Sequence, residues 1–347
     1  MGIAGMIKFL MMVGIILSGA LVGAGQTIQE PHTFFRDRIG LSDGQIATID
    51  GGGAVVKMIP SEIPAEVFIF GATHVNAAPE DYHKFAFDMS RLRNLPIYLG
   101  VRRFSNPPTL SDLEGFSLEP DDIKNLKNCK PGKCDVQLSP EAMLQLQEAV
   151  DWSASDVAEQ VNSRVRKMAL ELLARYQERG NSTLEIYQDK SRAFNMDAEF
   201  QSLLSQSEVL PFYLPELKRY LLEYPAAMPP NVESFFYWEK VDFGLKPTLR
   251  LNHVMAYQSS GPIGTAYLVV VKQLWASHYF QLALDLTASI PKSDRTNGAG
   301  SYVISLKIST QQGLTGFSGF FRRRVVVSKT LSAQENSLIN IKKALEK

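Results

Sequence analysis

The stretch Glu66–Leu92 reads EVFIFGATHVNAAPEDYHKFAFDMSRL, and its period changes once. Up to Asn76 it is dense in β-branched and aromatic residues, the composition of a strand. From Pro79 onward Tyr82, Phe85, Ala86, Met89 and Leu92 recur at three- and four-residue spacing, which is a helical face. Pro79 suits the first turn, where Glu80 and Asp81 also favour the helix dipole. Pro96 ends the pattern. A strand running directly into an amphipathic helix is therefore the first unit of the fold.

Upstream, a short helix is expected over Ser42–Asp50, closed by Gly51-Gly52-Gly53. No GK[ST] follows these glycines, so they read as a turn into a strand at Val55–Ile59 and not as a phosphate loop. Downstream, Pro107, Pro108 and Pro120 mark a turn-rich segment that leads to a short strand at Asp135–Leu138. Ser139-Pro140-Glu141 then opens a helical pattern running to Gly180, with further helices at Asp197–Ser205 and Pro215–Tyr224. Strands return at Thr248–Tyr257, Ala266–His278, Phe280–Ile290 and Tyr302–Ser309, with turns at Gly261-Pro262 and Ser293–Gly300. The last element is a helix, with Ser332 and Glu335 at capping-box spacing and Leu338, Ile341 and Leu345 on one face. The class is α+β, with strand-rich parts at 40–138 and 231–347 around a helical insertion at 139–230.

The N-terminus points to export. Lys8 precedes FLMMVGIILSGALV, and small residues follow at Gly23-Ala24-Gly25, the pattern of a secretory signal peptide spanning 1–25. The apolar run is short for a membrane span of about 20 residues, so no integral span is expected after cleavage and the protein is placed in the periplasm or secreted. Lys+Arg and Asp+Glu are both 36; losing Lys8 leaves 35 against 36. That balance gives no electrostatic footprint for nucleic acid.

Both cysteines lie in NCKPGKCDVQLS, Asn128–Ser139. In an oxidising compartment, Cys129 and Cys134 around the Pro131-Gly132 turn are expected to form a disulfide. Zinc would need two more ligands, and no histidine is near in sequence. Closing so short a loop stabilises by about 2 kcal/mol.

No catalytic motif is present. GFSGF at Gly316–Phe320 lacks the spacing of a nucleophile elbow, and there is no HExxH. His74, His253 and His278 each share strand parity with apolar residues. We read them as hydrogen-bonded core histidines; the sharper alternative is a three-histidine metal site. FFRRR at Phe320–Arg324 offers a peripheral contact with anionic lipid, against the plainer reading of a solvated corner. No cofactor is implied, and an enzyme is the least supported class.

Glu66–Leu92 resembles the first strand and helix of START-like (SRPBCC-type) helix-grip proteins. SYVISLKISTQQGLTGFSGFFRRR at Ser301–Arg324, with the helix after it, resembles that family's last strand and helix entry. The resemblance covers roughly 50–110 and 235–347, and the helical insertion departs from it. It implies a curved antiparallel sheet gripping a long C-terminal helix around a cavity for a lipid or other apolar small molecule. The cavity would be lined by Leu249, Leu251, His253 and Tyr257 from the sheet and by Leu338, Ile341 and Leu345 from the helix. RRFSNPPTLSDLEGFSL and NCKPGKCDVQLS also resemble an uncharacterised family of secreted bacterial proteins, which brings no activity. The alternative function is an envelope interaction or structural protein whose core is filled by its own side chains.

Overall fold

A computed structural model describes residues 31–347 except 62, 207–214, 227, 228, 230, 262, 263, 293–299 and 315. The expected signal peptide lies outside the described residues, as does most of the 293–300 turn. The chain opens with α1 (Pro31–Asp37), α2 (Asp43–Asp50), β1 (Val55–Ile59) and β2 (Glu66–Val75). There follow α3 (Pro79–Phe87), α4 (Ser90–Arg93) and β3 (Tyr98–Arg103). A 3-10 turn at Leu110–Leu113 and α5 (Pro120–Leu126) lead to α6 (Pro140–Ala149) and α7 (Val157–Arg179). After a second 3-10 turn at Gly180–Thr183 come β4 (Ile186–Tyr187), β5 (Phe194–Asn195), α8 (Met196–Gln206) and α9 (Pro215–Glu223). The chain closes with β6 (Val232–Val241), β7 (Thr248–Gly261), β8 (Gly264–Ala276), β9 (Phe280–Pro291), β10 (Ser301–Gln311) and α10 (Gly316–Leu345).

Local chemistry sets several of these boundaries. Ser42 Oγ accepts the Gln45 N–H at 3.3 Å while Gln45 Oε1 accepts the Ser42 N–H at 3.0 Å, a reciprocal cap on α2. Asp81 Oδ2 accepts the Ala78 N–H at 3.2 Å at the start of α3. The single helix expected over 79–92 breaks at Asp88, whose carboxylate takes the Ser90 N–H at 2.9 Å and restarts the chain as α4.

Eight strands form one antiparallel sheet in the order β1-β2-β10-β9-β8-β7-β6-β3. Strands β3 and β6, which are not among the strands expected above, complete it at one edge. The strand expected at Asp135–Leu138 does not form. Those residues instead brace the sheet from outside, Gln137 Nε2 donating to Ala276 O at 2.8 Å and to Phe280 O at 3.0 Å. The 139–230 segment is mainly helical, and its two short strands β4 and β5 pair only with each other.

Both faces of the sheet are buried. On one, α3 and α10 pack on Val254, Ala256, Val269 and Val303, with Leu338 and Ile341 in the same apolar cluster. On the other, α5 to α9 cover Leu249, Leu251, Met255 and Tyr257. The shared interior expected for the sheet and helix residues is thus divided by the sheet itself. Strand side chains alternate between faces, and on β7 the odd-numbered residues point away from α10. Leu345 stays with α10's side, partly buried against that cluster. Gly71 explains how closely α10 sits: a Cβ there would lie 2.9 Å from Leu338 Cδ1 and from Gln334 Nε2. Among the described residues no helix is long and apolar enough to cross a membrane.

Candidate functional site

A concave feature of the described structure lies on the face away from α10. An open cleft of about 480 Å³ runs between the start of α6, the middle of α7 and the 183–188 segment. Its walls carry Glu141, Gln145, Glu171, Arg175, Glu185 and Gln188. Ser139 Oγ caps α6 by accepting the Ala142 N–H at 3.3 Å, which fixes the cleft's inner rim. Arg175 donates to Glu185 at 3.2 Å across the opening. Arg164 braces the same wall, donating to Gln145 at 2.8 Å and standing 3.7 Å from Glu171.

Ser139, Ala142, Met168 and Glu185 also border a second, apolar pocket beneath. It reaches down to Leu251 and Trp275 of the sheet, with Leu146, Ala169 and Leu172 on its helical side. Its free volume is about 40 Å³. A polar mouth above an apolar floor is the arrangement an amphiphile needs. The mouth is of small-molecule size, whereas the floor is nearly closed.

Of the seven expected lining residues, Leu251 reaches this pocket. Leu249 and Tyr257 are buried in the same core cluster as the helical segment. His253 is fully buried and stacks on Phe236 at 4.5 Å, its Nδ1 3.2 Å from the Tyr176 hydroxyl. Burial, then the neighbouring Lys272 charge, pushes its imidazole well below the usual histidine range, so it is neutral. The three histidines do not converge. His278 bonds Asp122 at 2.9 Å and faces Asp135 O at 3.0 Å, while His74 packs edge-on to Tyr302. Among the described residues no group of three or more His, Cys, Asp or Glu is placed to hold a metal ion. Cys129 and Cys134 are bonded, with Cα atoms 4.6 Å apart.

The face gripped by α10 has a polar floor over part of its width. Glu239 and Arg250 pair at 2.9 Å, Asn252 donates to Glu239 at 3.2 Å, and Arg250 donates to Gln273 at 3.2 Å. Lys307 and Asp285 form a second pair at 2.9 Å. Burial, opposed by Arg250, leaves the Glu239 carboxyl above its ordinary value. Such a floor suits an apolar ligand poorly.

Lys272 is 1% exposed and sits between Phe200, 4.0 Å away, and Tyr176, 5.2 Å away. Its ammonium donates to Asn181 Oδ1, and Asn181 in turn donates to Leu221 O and Leu222 O at 2.8 Å. Burial pushes its pKa down to about 7, with Asp197 opposing. A cation in an apolar strand pattern was the available signal; its burial depends on α8 covering it.

No family model matches the chain, and no curated protein matches it. Among solved structures it is similar to a fragment, residues 25–204, of a STAR-related lipid transfer protein from Xanthomonas axonopodis. The two are 10% identical over 82% of this chain and 93% of that one, with a TM-score of 0.34.

Proposed function

We propose that this is an exported, non-catalytic protein that binds a small amphiphile, lipids included, in the cleft between α6, α7 and the sheet. In this reading the sheet and α10 are a START-like scaffold, and the helical insertion supplies the site. The single observation that supports it is the continuity of a polar mouth of about 480 Å³ with an apolar floor through Ser139, Ala142, Met168 and Glu185. A mouth of that size falls within the usual range for small-molecule sites, ~300–1,000 Å³. The polar group of the ligand stays at Arg175 and the surrounding carboxylates, and its apolar end is directed toward Leu251. A membrane is approached from its surface, without a span.

The test is native mass spectrometry of protein recovered from the producing cell, with titration of an apolar fluorescent probe. Added mass removed by organic extraction, and probe binding abolished by Ala142→Trp at the neck of the cleft, are expected. Probe binding unaffected by that substitution would move the site elsewhere. The small free volume of the floor, about 40 Å³, favours the second reading, an envelope interaction protein with a filled core. Absence of both added mass and probe binding would decide for it.

A further inference from the structure

Among the described residues eleven large hydrophobic side chains are exposed, and seven of them gather at one end of the sheet. Leu95, Ile97 and Leu99 stand at the start of β3, an edge strand. Phe243 and Leu245 follow in the β6–β7 turn, joined to β3 by the Asp242 N–H donating to Ile97 O at 2.9 Å. Phe321, 60% exposed, and Val325, 56% exposed, belong to the first turns of α10. A Cβ on Gly244 would lie 3.6 Å from Lys329 Nζ, so the turn and this part of α10 are adjacent. Singly exposed hydrophobics are ordinary; a cluster is not.

The orientation of the cluster is fixed from within. Val326, Val327 and Leu331 anchor α10 against Val67 and Ile69, and Arg323 donates to Glu66 O at 2.6 Å. Phe321, Val325 and Lys329, four residues apart, are left on one outward face. Arg322, Arg324 and Lys329 are exposed there, and among the described residues no carboxylate stands within ion-pair distance of them. The acid of the turn, Asp242, accepts the Gly244 N–H at 2.7 Å. The pole therefore combines apolar tips with cations that have no partner charge among the described residues.

We propose that this pole docks on an anionic lipid bilayer. Phe321, Val325 and Leu245 enter the boundary between headgroups and acyl chains, and Arg322, Arg324 and Lys329 meet the lipid phosphates. Charge complementarity selects this occupant: a membrane surface supplies the negative charge, and shallow apolar tips beside basic residues are an interfacial pattern. The inference deepens the membrane contact of the reading above and does not depend on the cleft.

The experiment is co-sedimentation of the full chain with vesicles of phosphatidylglycerol and phosphatidylcholine, and with phosphatidylcholine alone. Any leader sequence is common to all variants, so comparison among them isolates the pole. Binding to the anionic vesicles is expected, weakened by added salt. Arg322→Gln with Arg324→Gln and Lys329→Gln should weaken it about a hundredfold, roughly fivefold for each basic residue lost. Phe321→Ser with Val325→Ser should weaken it as well. Because these side chains are exposed, melting curves should not move, and binding of a soluble probe in the cleft should persist in every variant. Unbound wild type, or binding by both variants as strong as that of the wild type, overturns the proposal. A dimer that is lost in Phe321→Ser with Val325→Ser, without vesicle binding, would assign the pole to a second copy instead.

Discussion

Lys272→Met is expected to stabilise the protein at pH 7 and to lose that advantage by pH 9.5. The ammonium is buried between Phe200 and Tyr176, with Asn181 Oδ1 as its hydrogen-bond acceptor. Burial lowers its pKa from 10.5 to about 7. Between those values the unfolded chain holds a proton that the folded chain releases. A depressed folded pKa means that stability rises with pH across the window, and is lowest below its lower end. With about 1.36 kcal/mol per pKa unit, the full penalty approaches ~5 kcal/mol. At pH 7 about 4 kcal/mol of it remains, and at pH 9.5 only ~1 kcal/mol. Methionine removes the penalty but leaves Asn181 Oδ1 unpaired, a cost of about 1–3 kcal/mol. The net gain at pH 7 is therefore about 1–3 kcal/mol, turning to zero or a small loss at pH 9.5. The assay is urea unfolding of both proteins at half-unit steps from pH 6 to 9.5, below the range where the buried tyrosines begin to contribute. The parent should gain about 3 kcal/mol between pH 7 and 9.5, and the variant should be flat. A parent whose stability is flat over that range, or a variant less stable than the parent at pH 7, would refute the reasoning.

Further outcomes follow from other parts of the fold. Alkylation without reductant should label neither Cys129 nor Cys134, and replacing both by Ser should cost about 2 kcal/mol while leaving probe binding intact. Burial raises the Asp122 carboxyl, but bonds from His278 and Lys246 outweigh it and leave the pKa lowered. Its contribution is present above the ordinary carboxylate range and is lost as pH falls through the depressed value. Asp122→Asn should therefore cost about 3–5 kcal/mol at pH 7, measured by denaturant unfolding, with a smaller difference in acid. Gly71→Ala should cost ~1–3 kcal/mol by pushing α10 off β2, read as a lower melting temperature. A melting temperature equal to the parent's would show that Leu338 and Gln334 yield without cost.

Much of the architecture was legible because local chemistry and tertiary context agree. The dense strand at Glu66, the helix begun at Pro79, the four long strands from Thr248 onward and the terminal helix all carry their own periodic signal. The cysteine clip was legible too, since the two thiols lie close in sequence around the Pro131-Gly132 turn and need no distant partner. Strands β3 and β6 were not, because Tyr98–Arg103 and Val232–Val241 lie beside proline-rich segments and gain their strand character by pairing at the sheet edge. Alternation on β7 established that Leu249, Leu251, His253 and Tyr257 share a face. It carried no information on which element covers that face. A strand has two equivalent sides, and the choice between α10 and the helices of 139–230 is made by chain connections and by packing residues far apart in sequence. The same long-range packing buries Lys272 beneath α8 and lowers its pKa to about 7. Period and composition determined the elements; only the stacking of layers on both sides of the sheet decided where an interior, a cleft or a buried charge lies.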